Sequence, residues 1–322
     1  MNPLNLLPDH PRHTHAVVIG AGTMGADVAI VLARGGCRVT VVDPTAAKRE
    51  QLITHVRAGL APLNLVARAD EVQAVATLQE VRWSDVALVI ECIPEKLAAK
   101  QALFAELVQL APATTVLASN SSSFPISAIA QGLDSQARML GLHFFMPAHL
   151  VPLVEVVLGP QSDLAQAERL CSYMRGCGSV PVLVRKDKPG FLANRLQHAL
   201  AREAFAMIDE GIATPEDVDA AVRFGFGFRY LAAGPVLQRD HAGLDVHCAA
   251  AATIYPSLSN TSNPAKVLQD HISAGKLGMK TGAGFYDWPA ERRQAERARY
   301  DQLLQQGLDL LAADLPPLDR SF

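Results

Sequence analysis

Two residues set in apolar runs are the first candidates for chemistry. His143 lies near the end of residues 139–145 (MLGLHFF), and Glu155 follows twelve residues later within residues 152–157 (PLVEVV). An antiparallel return of that length brings a carboxylate against an imidazole. Such a pair fixes the tautomer and raises the basicity of the other ring nitrogen, which suits proton transfer near neutral pH. A histidine on an apolar strand is also a common core residue. A glutamate among valines is harder to dismiss, because burying it unpaired costs several kcal/mol, roughly.

A second constellation is the run Gly20-Ala21-Gly22-Thr23-Met24-Gly25. Taken alone, G-x-G-x-x-G is a glycine-bearing turn as readily as a ligand site. Here it ends an apolar strand and opens a helical pattern, and the next strand ends in Asp43, eighteen residues beyond Gly25. That context predicts dinucleotide binding. Gly20 would allow the tight turn, Gly22 a close approach to a pyrophosphate, and Gly25 close packing of helix on strand. The free N–H groups from Thr23 and Met24 onward would face the phosphates. Asp43 would accept hydrogen bonds from the adenosine ribose and repel a 2′-phosphate. No arginine stands at Pro44 or Thr45, so NAD is expected rather than NADP.

The elements that must position these groups alternate. Valine-rich runs at residues 15–20, 38–43, 87–92, 115–119, 139–145, 154–158 and 180–184 read as strands. Helical patterns at residues 23–34, 95–109 and 164–175 lie between them. This predicts an α/β Rossmann-type doubly wound sheet, with residues 154–158 pairing antiparallel to their predecessor. Beyond Pro189 the strand pattern stops. Phe191, Leu196, Leu200 and Met207 or Ile208 recur at helical intervals, Thr214-Pro215-Glu216-Asp217 reads as a helix start, and another helix is expected over about residues 236–255. The expected division is a sheet domain over residues 1–186 and an all-α C-terminal domain over residues 187–322. Residues 1–13, with Pro3, Pro8 and Pro11, read as a loose leader.

Composition bounds the partners. The 322 residues are 49% hydrophobic and 19% charged, with a net charge of -3 and no basic block. Nucleic acid and an anionic membrane surface are therefore not expected. The apolar stretch from Ala16 meets Asp27 too soon for a signal peptide or a membrane span. Five scattered cysteines without a C-x-x-C pair read as free thiols in a reducing cytoplasm, with neither metal nor disulfide use.

Two other dehydrogenase chemistries fail on spacing. None of the five tyrosines has a lysine four residues later, and Asn194 has Gly190, not a lysine, one helical turn before it. A histidine base remains. At this point the chain resembles the L-3-hydroxyacyl-CoA dehydrogenases and their relatives acting on free hydroxy acids. The carriers are GAGTMG with Asp43, IECIPEKLAAK at 90–100, SNSSSFPI at 119–126, GLHFFMP at 141–147 with PLVEVV, KPGFLANRL at 188–196 and LGMKTGAGFYDW at 277–288.

The resemblance implies NAD-dependent oxidation of a 3-hydroxyacyl substrate in fatty acid metabolism, by a homodimer joined through the helical domain. It implies His143 as the base, Glu155 as its orienting partner and Ser122 as a donor to the reacting oxygen. Asn194 would help place the substrate; Glu95 and Lys100 would line the nicotinamide side, with Asn120 among the cofactor contacts. The residues alone leave other roles open: Ser122 as a cap, Asn194 as a helix-start polar group and Glu95 as a first-turn acid. The aromatic stretch Phe224, Phe226, Phe228 and Tyr230 fits either a dimer contact or intrachain core.

Two features depart from the acyl-CoA pattern. Met146 stands where those members carry asparagine, and the segment after Asp43 is short and lightly basic, with Lys48, Arg49, Arg57 and Arg68 spread out around Pro62. FGFRYLAAGP at 226–235 resembles the gulonate, carnitine and lambda-crystallin side of the family, whereas AGLDVH and the KTGAGFYDW tail resemble the acyl-CoA side. The expected substrate is a CoA thioester in preference to a free 3-hydroxy acid. A redox-silent NAD-binding protein is the third reading.

Overall fold

The computed structural model describes residues 6–320. Pro3 of the expected leader lies outside them. Residues 6–13 are not loose: Leu7 is buried in the apolar core, and its N–H donates to the Gln166 side chain at 3.0 Å.

Eight strands form one sheet: β1 (His15–Ile19), β2 (Arg38–Val42), β3 (Val72–Val75), β4 (Val86–Glu91), β5 (Val116–Ser119), β6 (Met139–Phe144), β7 (Leu153–Leu158) and β8 (Val180–Val184). Their order is β3-β2-β1-β4-β5-β6-β7-β8, and every neighbouring pair is parallel except β6 and β7. Helices α1 (Thr23–Arg34), α2 (Ala46–Leu60), α3 (Leu97–Leu110), the single turn α4 (Ile126–Ile129) and α5 (Leu164–Gly176) accompany the sheet. The expected doubly wound architecture is present, together with a strand, β3, and a helix, α2, that the sequence pattern does not announce.

The side chains of β1 explain the layering. Successive residues of a strand point to opposite faces. Ala16 and Val18 join the apolar cluster that includes Val28, Val31, Leu52 and Leu170, whereas Val17 and Ile19 join the one with Phe104 and Leu107. A parallel sheet covered on both faces selects continuous valine runs rather than alternation. At about 25 cal/mol per Å², burial of such runs is the main favourable term here.

The order reverses between β1 and β4, which places a crevice beyond the carboxyl ends of those strands, the usual ligand position in such sheets. Gly20 follows β1, Cys92 and Ile93 follow β4, and Asp43 follows β2. The site residues are therefore gathered by topology before any side chain is considered.

The second half is helical: α6 (Ala193–Asp209), α7 (Pro215–Ala221), α8 (Gly227–Arg229), α9 (Leu237–Ala242), α10 (Leu244–Ile254), α11 (Lys266–Ser273) and α12 (Ala290–Leu310). Thr214 caps α7 in a reciprocal box with Asp217. The single helix expected over residues 236–255 is instead two, separated at Gly243, where φ is +93°. The chain divides into two compact units: everything up to Asn194 together with the stretch from Leu304 onward, and Arg195–Leu303. The C-terminal stretch thus belongs to the sheet unit, whereas the sequence suggests a contiguous second domain over residues 187–322.

Candidate functional site

The antiparallel register sets His143 directly opposite Glu155. Their side chains meet, with His143 Nδ1 2.7 Å from Glu155 Oε2. The other carboxylate oxygen accepts the N–H groups of Leu192 at 2.9 Å and Ala193 at 2.8 Å. Both residues are buried. Burial alone would push the Glu155 carboxyl up. The histidine and the two backbone N–H groups outweigh it, so its pKa lies below the ordinary carboxylate value. With Nδ1 committed to the carboxylate, the lone pair lies on Nε2, which has no protein partner among the described residues. Phe145 stands edge-on to the imidazole at 4.6 Å between centroids, and Phe191 lies at 5.5 Å.

The neighbouring groups expected from the sequence come to the same end of the sheet. Asn120 Oδ1 accepts the N–H of Phe144 at 2.9 Å, and the Asn120 N–H donates to the Glu91 carbonyl at 2.9 Å. Asn120 thereby ties the end of β5 to the strand end that carries His143. Ser122 follows in an exposed turn, and its hydroxyl has no partner among the described residues. Asn194 is the second residue of α6, immediately after one of the two N–H groups that hold Glu155. Met146 is 64% exposed.

Glu95 and Lys100 meet each other, and Lys100 also meets Glu91. Lys100 is fully buried. Its Nζ lies 2.6 Å from Glu91 Oε1, 3.2 Å from Glu95 Oε2 and 3.3 Å from the Ile93 carbonyl. Glu91 also takes the Ser119 hydroxyl at 2.6 Å and the Ile93 N–H at 2.7 Å. Glu95 accepts the hydroxyls of Ser121 at 2.5 Å and Ser123 at 2.6 Å. Partial burial raises the Glu95 pKa, but these hydroxyls and the lysine lower it more, to about 2. Through Glu95 the ammonium holds the serine turn in place. Glu91 is absent from the residues singled out in the sequence, although it carries the signal that exposes Glu155, an acid inside an apolar strand.

The glycine turn has the shape a dinucleotide requires. Gly20 takes φ +103°, a region that costs other residues strain. A Cβ on Gly25 would fall 1.7 Å from the Gly20 carbonyl oxygen, whereas around Gly22 nothing lies within 4 Å. No side chain caps α1 and no acid stands in its first turn. An open glycine beside uncapped N–H groups is a cradle for a diphosphate. Asp43 accepts the Ala21 N–H from within the turn and the Thr45 N–H, both at 2.8 Å, and Lys48 Nζ lies at 3.3 Å. Burial opposes ionisation here, but those N–H groups lower the pKa of Asp43 overall. The residues fit NAD.

All five cysteines are free thiols. Among the described residues no helix is long and apolar enough to cross a membrane.

Comparison with known proteins agrees with this geometry. Residues 15–188 match the family model of the 3-hydroxyacyl-CoA dehydrogenase NAD-binding domain, and residues 190–288 match that of the C-terminal domain. The chain is 33% identical over 293 residues to 5-formyl-3-hydroxy-2-methylpyridine 4-carboxylate 5-dehydrogenase of Mesorhizobium japonicum, covering 88% of this chain and 94% of that protein. It is 36% identical over 284 residues to the 3-hydroxyadipyl-CoA dehydrogenase of Escherichia coli, covering 85% of this chain and 59% of that longer one. A crystal structure of a 5-formyl-3-hydroxy-2-methylpyridine 4-carboxylic acid 5-dehydrogenase, described as an NAD+-dependent dismutase, superposes with a TM-score of 0.87 at 30% identity over 92% of this chain and 98% of that one.

Proposed function

This chain belongs to the 3-hydroxyacyl-CoA dehydrogenase family and is an NAD-dependent oxidoreductase, and we propose that it oxidises the 3-hydroxy group of a small free acid with His143 as its base. NAD, when bound in the glycine cradle, supplies the hydride acceptor. His143 takes the hydroxyl proton on Nε2, because Nδ1 is held by Glu155. The imidazolium that results sits against a carboxylate already ionised by its surroundings, so no bare cation is left in the site. The Ser122 hydroxyl donates to the reacting oxygen, and Asn194 places the substrate beside the imidazole. Glu91, Lys100 and Glu95 hold the serine turn in place from below. In the reverse direction the same Nε2 returns the proton to the carbonyl oxygen.

One observation carries the preference for a free acid over the CoA thioester expected from the sequence. The four basic residues of the segment after Asp43 each contact a group of the protein. Lys48 lies on the Asp43 carboxylate, and Arg49 donates to the Asp43 carbonyl at 2.7 Å. Arg57 pairs with Asp70 at 2.8 Å, and Arg68 donates to the carbonyls of Arg34 and Asp319. The pyridine carboxylate dehydrogenase among the relatives supports the same reading. The Escherichia coli 3-hydroxyadipyl-CoA dehydrogenase keeps a thioester as the second reading. A redox-silent role is disfavoured by the intact His143–Glu155 pair. Five free thiols suit a reducing compartment such as the cytoplasm. Exposed Phe224 and Phe228 fit a homodimer formed through the helical unit.

The test is a paired screen of 3-hydroxy acids against their CoA esters, with NAD reduction as the readout. The free acids should win in kcat/KM by at least about tenfold, a margin of about 1.4 kcal/mol. His143→Gln should lower kcat by at least about a hundredfold while NADH binding is unchanged. Preference for the esters would overturn the substrate reading, and retained turnover in the variant would overturn the base.

A further inference from the structure

A second polar cluster joins α1, α2 and the loop between β6 and β7, and the reaction does not use it. Asp27 on α1 is buried, and one of its oxygens, Oδ2, accepts the Ala148 N–H at 3.0 Å. The other, Oδ1, meets two imidazoles. His55 Nε2 from α2 lies at 2.8 Å, and His149 Nδ1, from the loop between β6 and β7, lies at 3.1 Å. The second contact is an ion-pair approach rather than an aligned hydrogen bond, so the buried His149 Nδ1 is incompletely satisfied. The rings stand edge to face with centroids 6.1 Å apart. His55 Nδ1 and His149 Nε2 have no protein partner among the described residues. The three side chains do not form a metal-binding group.

Both imidazoles line a cavity of about 720 Å³ that lies wholly within the sheet unit. That volume falls in the range of small-molecule sites, which are mostly apolar with a few convergent polar groups. Its walls have that character: Leu63, Leu150, Leu308 and Leu315 are among the apolar ones, and the C-terminal stretch closes one side. Four charged groups bear on the imidazoles. Asp27 is already paired with them, and Arg34 is spent on the carbonyls of Cys177 and His149 and on Ser179 Oγ. Arg320 and Asp309 line the cavity opposite each other in charge. Arg34 and Arg320 balance Asp27 and Asp309, so protonated His55, whose proton affinity is raised chiefly by its hydrogen bond to Asp27, leaves one positive charge in excess. A single negative charge balances it. A dianion such as phosphate would face Asp27 and Asp309 with one charge in excess.

We propose that this cavity binds an organic monocarboxylate, its head group taken by the Nδ1–H of protonated His55 and its apolar body lying along the leucine walls beside His149. The walls come from α2 and the turn that follows it, from the loop that follows His143 and from the C-terminal stretch, with Arg34 at the end of α1. A ligand there lies beside the loop that follows His143 without entering the catalytic site.

Calorimetric titration of the full chain, saturated with NADH, with octanoate tests the proposal. One site is expected. Octanamide, which lacks the charge, should bind at least about tenfold more weakly, and so should octanoate to the variant carrying both His55→Gln and His149→Gln. Affinity for octanoate should fall as pH rises well above 6.5, as His55 loses its proton. Ala312→Trp, which fills the cavity from the C-terminal side, should abolish binding; unchanged NADH affinity in each variant shows that the fold is intact. His143→Gln should bind octanoate as the parent does. Absence of binding, equal binding of octanamide, or indifference to both cavity variants overturns the proposal. So does loss of binding in His143→Gln, which would assign the ligand to the catalytic site.

Discussion

The sheet unit and the helical unit solve burial in opposite ways. Both apolar clusters lie entirely in the sheet unit, and β1 is buried along its whole length. In the helical unit only Ala233 and Gln238 are buried among the described residues. Large apolar side chains remain outside there, with Phe224 at 74% and Phe228 at 65% exposure. The first unit has enough closed core to bury charges, and it buries several: Glu91 with Lys100, Glu155 with His143, and Asp27 with two imidazoles. The second displays apolar surface in place of burying it. Catalytic electrostatics need the dry, fixed surroundings of the first unit, whereas an unpaired apolar surface is what a second copy of the chain would cover.

The contrast breaks most visibly at Lys100. Lys100→Met removes one partner of a fully buried pair and leaves the Glu91 carboxylate uncompensated. The expected loss is roughly 3–5 kcal/mol of unfolding free energy, measured by urea denaturation at neutral pH. Replacing both Glu91 and Lys100 by apolar residues should recover part of it. A loss below about 1 kcal/mol in the single variant would mean that water reaches the pair.

The helical unit should answer to association instead. Phe224→Asp combined with Phe228→Asp should leave the unfolding of the sheet unit unchanged and weaken self-association by about thirtyfold, the equivalent of about 2 kcal/mol at an interface centre. Sedimentation equilibrium over a dilution series reads this directly. A monomeric parent chain, or an unaltered dimer in the variant, would remove the explanation for the exposed aromatics.

The same contrast decides what is legible in the sequence. The elements β1, β2 and α1 fall within a residue of expectation, because valine runs buried on both faces and a glycine turn leave little choice. The spacing of His143 and Glu155 is enough for their register, because a short return between two strands admits few pairings. The element β3 escapes notice because an edge strand of four residues, with only Val72 buried, carries almost no pattern. In α2 only Leu52, Val56 and Leu60 are buried, one narrow stripe along fifteen residues. The Asp27 cluster is invisible for another reason. His55 and His149 come from distant elements, and no local periodicity links them to α1. The engagement of Lys48, Arg49, Arg57 and Arg68 is equally hidden, since a sequence shows that a charge is present but not what it is paired with.

The smallest expected effect lies in the pH dependence of the sheet unit. Burial raises the Asp27 carboxyl, but the two histidines outweigh it and hold it at about 2, below its ordinary value of 3.8. A carboxyl with a lower pKa folded than unfolded adds stability above the unfolded value and loses it as pH falls through the folded one. The Asp27 contribution should therefore be complete above about pH 4 and disappear towards pH 2, with a size of up to about 2 kcal/mol. His55 works in the other direction. Its raised pKa means that its contribution is complete below the unfolded value of 6.5 and is lost as pH rises through the folded one. The pair is thus strongest between about pH 4 and 6.5. Asp27→Asn should remove this residue's share of both limbs, lessening the change in Tm between pH 2 and 4 and again above pH 6.5. A variant whose Tm follows the parent's pH profile throughout would show that the imidazoles do not hold the carboxylate, and the cavity they line would lose its charged wall.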